Sequence, residues 1–391
     1  MGQTQMVLRY GCNPHQTPAR IYSKEGALPF NVLSGSPGYI NMLDALNAWQ
    51  LVRELKQALD LPAAASFKHV SPAGAAVGIP LSDTLRKSYF VDDMEMSPLT
   101  DAYARARGAD RVSSYGDCVA LSDTVDVPTA RLLNREVSDI VIAPGYEEGA
   151  LDILKKKKNG KYVVIEIDSD FEPGESETRE VFGIQFEQKR NNLKVTSDLF
   201  KNIVTNNKDL PPSAIRDLIV ATTAIKYTQS NTIGFAFDGQ AIGIGAGQQS
   251  RIHCARLAGD KADKWFLRQH PTVLGLKWRK GVGRAERNNA IDLYLQEKLT
   301  SVERQIMEST LEEVPPQLTS QERGDWLSKM TGVVLSSDAF MPFRDTIDRA
   351  YLSGVKYVVQ PGNSIRDEEV IKACNDYGMV MVFSGTRFFH H

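Results

Sequence analysis

The strongest constraint on the fold is an alternation of strand-like and helix-like segments that occurs twice along the chain. In the first series, apolar runs typical of buried strands lie at residues 118–121, 139–143 and 162–167, with amphipathic helical runs at 128–136 and 147–157. The second series has strands at 333–335, 356–359 and 379–383, with helices at 344–352 and 367–376. Strands that alternate with helices of this length predict an α/β fold with right-handed crossovers and a largely parallel sheet.

A helix and a small-residue or apolar strand precede each series. In the first half we expect a helix at 41–60, a strand at 63–67, a loop at 68–74 and a helical stretch near 101–107. In the second half we expect a helix at 211–226, strands at 232–237 and 241–244, a loop at 245–250 and a helix through residue 258. The Asp238-Gly239 pair between the last two strands is a strong hairpin signal.

Two short motifs recur in the two halves. The segment VALSD at 119–123 parallels VLSSD at 334–338, and IVIAPG at 140–145 parallels YVVQPG at 357–362. This long-period likeness favours duplication of one α/β unit, with chance similarity between two such units as the alternative. We therefore expect two similar domains, residues 1–175 and residues 176–391, the second carrying a charged helical insertion at 259–331.

The composition excludes several classes of protein. The formal net charge is −2, without the basic excess typical of a nucleic-acid-binding protein. No apolar run approaches the roughly 20 residues that span a bilayer, and the N-terminus lacks the pattern of a secretory signal. The four cysteines form no C-x-x-C pair, and no histidine is followed two residues later by Glu. These features argue against a zinc site and predict a globular cytosolic protein.

The segment at residues 68–74, Lys-His-Val-Ser-Pro-Ala-Gly, is the main candidate for catalysis. We expect Pro72 and Gly74 to end the preceding strand and to place Lys68 and His69 at its carboxyl end, where open α/β sheets bind ligands. A histidine is the usual base near neutral pH, and a neighbouring ammonium favours the neutral imidazole and stabilises an oxyanion. Taken from these residues alone, a structural role for the pair stays open.

Three weaker signals point to ligand binding. The glycines of Gly243-x-Gly245-x-Gly247, ahead of Arg251, would let a backbone approach an anion at a helix N-terminus, although a tight turn explains them equally well. Asn231 lies at a helix-to-strand junction, where capping is the alternative role. Arg9 and Arg387 lie near the two termini, and a site that used both would bring the chain ends together.

Long segments of the chain resemble one known family. They lie at residues 8–16, 66–74, 106–110, 226–231, 243–253, 336–340 and 387–391. These segments look like the AICAR transformylase domain of the bifunctional AICAR transformylase/IMP cyclohydrolase family, and the likeness runs nearly end to end. In that family a cyclohydrolase domain precedes this region. Because Met1 stands shortly before Arg9, we expect that domain to be absent here, in a natural stand-alone form or in an excised piece.

The resemblance implies a fold and a reaction. The fold would be two duplicated cytidine-deaminase-like domains with mixed or parallel sheets and without zinc, assembled as a homodimer with active sites at the subunit interface. The reaction would move the formyl group of 10-formyltetrahydrofolate to the 5-amino group of AICAR, giving FAICAR and tetrahydrofolate in purine synthesis. AICAR and a reduced folate are then the partners, with no metal required for the chemistry and no nucleic acid or membrane involved.

The resemblance also assigns roles to individual residues. His69 resembles the proton acceptor, and Lys68 resembles the residue that stabilises the tetrahedral transition state or assists departure of the folate nitrogen. The residues that look like nucleotide contacts are Arg9, Tyr10, Gly116, Asp139, Asn231, Phe340 and Arg387. Those that resemble the folate side of the pocket are Arg251, Ile252, Phe343, Asp345, Ser364 and Ile365, with Tyr115 as a further aromatic beside Phe343.

Two other classes of function stay open. A cytidine-deaminase-like hydrolase would be favoured by zinc in the purified protein. A non-catalytic folate or nucleotide sensor would be favoured by ligand binding without turnover. The adjacent Lys68 and His69 are better explained by a formyltransferase.

Overall fold

The computed structural model describes residues 3–24 and 26–391. The strands in this part of the chain are β1 (Gln5–Leu8), β2 (Ala19–Tyr22), β3 (Phe30–Ser34), β4 (Ala63–Lys68), β5 (Ser71–Val77), β6 (Asp117–Leu121), β7 (Ser138–Ala143), β8 (Val163–Ile167), β9 (Ser176–Val181), β10 (Ile184–Lys189), β11 (Ile233–Phe237), β12 (Gln240–Gly245), β13 (Val333–Ser337), β14 (Val355–Gln360) and β15 (Val380–Phe383). The helices are α1 (Tyr39–Leu59), α2 (Asp83–Ser88), α3 (Pro98–Gly108), α4 (Val127–Arg135), α5 (Glu148–Lys156), α6 (Pro212–Lys226), α7 (Arg251–Leu267), α8 (Pro271–Leu274), α9 (Arg284–Tyr294), α10 (Ser301–Thr310), α11 (Ser320–Leu327), α12 (Asp345–Leu352) and α13 (Asp367–Asp376).

One mixed sheet organises the molecule, in the order β15-β14-β13-β11-β12-β5-β4-β6-β7-β8-β3. Strands β6, β7 and β8 are parallel to one another, and so are β13, β14 and β15. The α/β class is therefore confirmed. The expectation of a largely parallel sheet is wrong for the centre, where β11, β12, β5 and β4 pair antiparallel. Two-residue turns join β4 to β5 and β11 to β12, and a connection that short joins only antiparallel strands.

The two halves of this sheet have the same topology. From the centre outward, the first half runs β5-β4-β6-β7-β8 and the second runs β12-β11-β13-β14-β15. The repeated sequence motifs lie on β6 and β13 and on β7 and β14, which occupy equivalent places. This match supports a duplication. The division into domains at residues 175 and 176 stays a prediction, and the sheet continues from one half to the other where Gln240 of β12 pairs with Ala76 of β5.

Helices cover both faces of the sheet. Apolar residues of α1 and α6 pack on one face, and those of α3, α4, α5, α7, α12 and α13 pack on the other. Successive strand residues point to opposite faces, so Ala64 joins one core while Ala63 and Ala65 join the other. Because both faces are buried, the strands are nearly continuous in apolar and small residues.

Helices α8 to α11 lie inside the predicted insertion and share a small core of their own, which includes Val273, Ile291 and Met307. Two antiparallel hairpins, β1–β2 and β9–β10, lie outside the main sheet and were not predicted, because their short strands carry many polar residues. In the part of the chain that the structure describes, no helix is long and apolar enough to cross a membrane.

Candidate active site

Lys68 and His69 lie in a tight hairpin turn. Lys68 is the last residue of β4 and pairs with Ser71, so His69 and Val70 form a two-residue connection to β5. Both have positive φ, 54° and 56°, as the two central residues of a type I′ turn require. The expectation that Pro72 and Gly74 make the turn is therefore wrong, because both lie within β5.

Gly74 is needed instead for close packing. A Cβ at this position would lie 2.0 Å from the carbonyl oxygen of Ala106 in α3. The glycine therefore lets β5 press against the helix, and the turn depends on other residues.

A buried carboxylate holds the turn in place. Asp44 of α1 is 6% exposed, and its Oδ1 accepts the backbone N–H of Val70 at 2.6 Å. Burial raises the pKa of Asp44, while the backbone N–H of Val70 and the nearby imidazole of His69 act in the opposite direction. A side chain from the helix beneath the sheet thus fixes the backbone that carries His69.

The second half of the molecule contains the same device. Asp217 of α6 accepts the backbone N–H groups of Asp238 and Gly239 at 2.8 and 2.7 Å. Those two residues form the β11–β12 turn, also with positive φ, 50° and 77°. Asp-Gly is a preferred pair for such a turn, whereas a histidine followed by a β-branched valine is a costly one. Backbone strain of this kind is characteristic of functional sites.

Lys68 reaches the neighbouring connection of the first half. Its Nζ donates to the backbone oxygen of Tyr115 at 2.6 Å. Gly116 follows with φ +74°, and a Cβ there would lie 3.5 Å from Oδ2 of Asp139. Asp139 also pairs with Nζ of Lys158 at 2.5 Å. The structure therefore brings the predicted residues Lys68, Gly116 and Asp139 into one neighbourhood.

Lys68 lies at the carboxyl end of β4, as expected, but this edge carries the amino ends of the parallel strands β6, β7 and β8. Because β4 is antiparallel to β6, the carboxyl end of β4 meets the amino end of β6, where Phe67 pairs with Cys118. In the second half, however, the same edge carries the carboxyl ends of β12, β13, β14 and β15. The two halves meet where the backbone N–H of Gln229 approaches Oγ of Ser71 at 3.5 Å. The parallel strands of the second half therefore bring their carboxyl ends to this edge, while the first half contributes the carboxyl end of β4.

A buried polar network occupies the second half of this edge. Arg251 is 7% exposed and forms an ion pair with the fully buried Asp338. Its guanidinium also donates to Oδ1 of Asn231 at 2.8 Å, and Asp338 accepts the backbone N–H of Thr232 at 3.0 Å. Arg251 is therefore engaged in fixing Asn231. Its predicted contact with folate stays a prediction.

The C-terminal segment lies against this network. The backbone N–H of Phe388 donates to the oxygen of Asp338 at 2.8 Å, and Ser230 and His390 exchange two hydrogen bonds of 3.0 Å. Burial lowers the pKa of His390. Arg387 is exposed beside the buried Phe388, and its guanidinium lies 4.6 Å from the centre of the Phe389 ring.

The glycine-rich segment has mainly a packing role. A Cβ on Gly243 would lie 2.1 Å from the oxygen of Ala258, and one on Gly245 would lie 2.1 Å from the oxygen of Cys254. Both glycines let β12 press against α7. Gly247 alone, with φ +66° and open space around it, is placed for a backbone approach to a ligand.

The remaining candidates for folate binding, together with the nucleotide candidate Phe340, lie around α12, the end of β14 and the first turn of α7. Phe340 and Phe343 are 46% and 48% exposed, and Ile365 is fully exposed. Asp345 begins α12, and Ile252 lies in the first turn of α7. The backbone N–H of Ser364 donates to Oδ2 of Asp367 at 3.1 Å. Next to Ser364 is an open depression of about 410 Å³, lined by residues that include Pro361, Asn363, Ser384 and Asn202.

Arg9 and Tyr10 are the predicted residues that the structure does not connect to this edge. They follow β1, and the Arg9 guanidinium lies 5.9 Å from the centre of the Tyr10 ring. Within residues 3–24 and 26–391, no hydrogen bond or ion pair joins either of them to Arg387 or Lys68.

Within the same ranges, no group of three His, Cys, Asp or Glu side chains is arranged to hold a metal ion.

Sequence reasoning missed Asp44, Asp338 and His390. Asp338 had a signal, because it ends the motif repeated at Asp123. Asp44 had none, since an aspartate inside a helix is usually solvated and only the tertiary fold places it beneath a turn. The terminal His390 gave no signal of burial.

Comparison with known proteins provides a second line of evidence. A family model described as AICARFT/IMPCHase bienzyme matches residues 1–261. A bifunctional purine biosynthesis protein PurH from Xylella fastidiosa (strain 9a5c) is 33% identical over 392 residues, covering 98% of this chain and 58% of the relative. A protein of the same description from Xanthomonas campestris pv. campestris (strain 8004) is 33% identical over 394 residues, covering 99% of this chain and 58% of the relative. The chain thus spans less than two thirds of the length of these curated relatives.

Proposed function

Because the chain belongs to the AICARFT/IMPCHase bienzyme family, we propose that it is the folate-dependent formyltransferase of that family. It transfers the formyl group of 10-formyltetrahydrofolate to the 5-amino group of AICAR, giving FAICAR and tetrahydrofolate, and it acts in the cytosol in purine synthesis. The strained His69-Val70 turn, held by Asp44 at an edge shared by both halves, carries this proposal.

The chemistry requires a base and an electrostatic partner. The 5-amino group of AICAR is conjugated with the ring and is a poor nucleophile, so it must lose a proton as its nitrogen bonds to the formyl carbon. His69, at the tip of the turn, accepts that proton. Lys68, one residue earlier, stabilises the negative charge on the formyl oxygen in the tetrahedral intermediate. The bond between the formyl carbon and the folate nitrogen then breaks, and the proton that His69 accepted passes to that nitrogen.

The substrates occupy the two sides of this turn. Gly116, Asp139, Asn231 and Phe340 contact the nucleotide, and Arg9, Tyr10 and Arg387 complete its site. Arginine suits the phosphate, because a guanidinium fork matches phosphate geometry. The folate lies toward Arg251, Ile252, Phe343, Asp345, Ser364 and Ile365, and the Arg251 guanidinium also holds the Asn231 side chain that contacts the nucleotide.

A steady-state assay with AICAR and 10-formyltetrahydrofolate, followed by tetrahydrofolate release, tests the proposal. His69→Ala and Lys68→Ala are each expected to lose on the order of 10²-fold or more in kcat, while remaining folded and binding AICAR. Lys277→Ala is a matched control, since Lys277 is exposed and pairs with Glu313 on the surface.

Each alternative function predicts a different result. Binding of both ligands by wild type without any turnover would favour a sensor, and zinc-dependent release of ammonia would favour a deaminase-like hydrolase. Near-normal turnover in the His69 or Lys68 variant would remove that residue from the mechanism.

We propose further that the active unit is a homodimer of chains with duplicated cytidine-deaminase-like domains, with each pocket built from two subunits. The exposed aromatic side chains of Tyr115, Phe340 and Phe343 at the same edge support this, because large exposed apolar surfaces often mark interfaces. Mixing Lys68→Ala and Phe343→Ala subunits tests it. If the two residues serve one pocket from different chains, about half of the dimers are mixed and each has one intact site, so activity recovers to roughly a quarter of wild type.

Confirmed subunit exchange without any recovery would show that Lys68 and Phe343 serve one pocket from a single chain. Phe343 suits this experiment better than Arg251, because removing Arg251 would leave Asp338 buried without its ion-pair partner.

A further inference from the structure

A buried polar cluster adjoins the connection between α3 and β6, which Lys68 contacts. Its members are Ser66 of β4, Ser114, and Asp117 at the start of β6, and all three are fully buried. Oγ of Ser66 lies 2.8 Å from Oγ of Ser114 and 2.6 Å from Oδ2 of Asp117. Burying polar groups is costly unless each has a partner, so such a cluster is either needed for the fold or serves the neighbouring site.

Arg107 balances the charge of Asp117. Its Nη1 donates to Oδ1 of Asp117 at 2.9 Å. Burial raises the pKa of Asp117, while Arg107 and the hydroxyl of Ser66 act in the opposite direction. A carboxylate paired with a guanidinium is ionised and can only accept hydrogen bonds. The Ser66 hydroxyl therefore donates to Asp117, and Oγ of Ser66 accepts the hydroxyl proton of Ser114.

Strand β4 holds the connection between α3 and β6 at two points. Residues two apart on a strand point to the same face of the sheet, so Ser66 and Lys68 share a face. Ser66 contacts Ser114 in the interior, and Nζ of Lys68 donates to the backbone oxygen of Tyr115 at 2.6 Å. The side chain of Tyr115 is 53% exposed. The buried side chain that anchors this backbone is therefore that of the preceding residue, Ser114.

The second half of the described chain has apolar side chains at the equivalent places. Counted back from the two equivalent turns, Phe235 and Phe237 of β11 correspond to Ser66 and Lys68 of β4. Phe235 is fully buried in the apolar core on this face of the sheet. A phenylalanine thus satisfies the fold at this position, and well-packed apolar residues often replace buried ionic groups without loss of stability. The polar cluster accompanies the half that carries Lys68 and His69.

We propose that Ser114 is a positioning residue for Lys68, an inference that rests on the proposed formyltransfer reaction. The Ser114 hydroxyl, linked through Ser66 to Asp117, fixes the backbone whose carbonyl oxygen orients the Lys68 ammonium group. Without that hydroxyl the backbone is free to shift, and a displacement of about 1 Å in a catalytic group lowers the rate by roughly 10²-fold. The loss is limited to the part of catalysis that Lys68 itself provides.

A double-mutant cycle between Ser114 and Lys68 tests the inference. In the steady-state assay at saturating substrates, Ser114→Ala is expected to lower kcat by about 10-fold or more. In the Lys68→Ala background the same substitution should change kcat by less than about twofold, because both effects act through one ammonium group. Thr129→Ala is the matched control, since it removes a buried hydroxyl that pairs with Thr100 at 2.9 Å, near the carboxyl end of β6. It should lose stability in urea unfolding and keep near-normal kcat.

Two results would overturn the positioning role and leave the formyltransferase intact. One is near-normal kcat in Ser114→Ala. The other is an equal loss in the wild-type and Lys68→Ala backgrounds, which would show a general effect on the fold. Ser66→Ala breaks the same chain of hydrogen bonds from the strand and should behave alike, so it decides the matter if Ser114→Ala does not fold. Absence of turnover in wild type would instead refute the proposed reaction, and near-normal turnover in Lys68→Ala would refute the part of Lys68; either refutes the inference as well.

Discussion

Replacing Asp44 by alanine should separate the positioning of His69 from the stability of the protein. The carboxylate of Asp44 accepts the backbone N–H of Val70 at 2.6 Å. Its loss would leave that donor unpaired at a cost of about 1–3 kcal/mol. The turn it holds contains two non-glycine residues at positive φ, each strained by about 1–3 kcal/mol. Relaxation of the turn is thus favourable once the carboxylate is gone.

The expected result is a loss of turnover larger than the loss of stability suggests. A displacement of about 1 Å in a catalytic group lowers the rate by roughly 10²-fold, so Asp44→Ala is expected to reduce kcat by that order. KM for AICAR should change little, because Asp44 acts on His69 through the backbone. The assay is tetrahydrofolate release at saturating substrates, with urea unfolding of the same variant at the same pH.

Asp217→Ala is the matched control for this experiment. Asp217 is 4% exposed and accepts two backbone N–H groups of the equivalent turn in the second half, and burial raises its pKa as it does for Asp44. This variant should lose a similar or greater amount of stability and keep near-normal kcat. Equal losses of kcat in the two variants, or near-normal kcat in Asp44→Ala, would refute the positioning role.

Three further predictions concern the scaffold. Gly243→Ala should destabilise the protein by about 1–3 kcal/mol or more in urea unfolding, because its Cβ would overlap the oxygen of Ala258. Gly324→Ala, in the exposed part of α11 with open space around it, should be neutral or stabilising. Burial would raise the pKa of Glu136, but Arg111 and Arg107 overcome it and lower the pKa to about 2. The stabilisation that the ionised Glu136 provides is therefore complete above about pH 4.3, the ordinary pKa of a glutamate. It is lost as the pH falls toward 2. The stability difference between wild type and Glu136→Gln should shrink over that range, and a constant difference would contradict this. A thiol reagent should react rapidly with one cysteine of the native protein, the exposed Cys12. A second rapidly reacting thiol would contradict the burial of the other three cysteines. Those are Cys118, Cys254 and Cys374, whose pKa values burial raises.

Local patterns in the sequence were sufficient to predict the outer strands of the sheet and their helices. The β-α alternation predicted β6 to β8 and β13 to β15, because apolar strand runs and amphipathic helix runs differ in period. The Asp238-Gly239 pair predicted its hairpin, since its residue types suit positive φ. The His69-Val70 hairpin was missed for the same reason, because neither residue type favours that conformation.

The sequence by itself determined the class of fold, its repeated order of elements and the family, because these depend on local periodicity and on long motifs. Only the tertiary structure decided which edge of the sheet holds Lys68 and His69, since that depends on the antiparallel pairing of β4 with β6. It also decided that Arg251 is committed to Asp338 and that Asp44 lies beneath the turn. These are contacts between residues 26 to 87 positions apart. Such contacts leave no periodic trace in the sequence, because a single buried charge is fixed by the space and the partners that the packed fold provides.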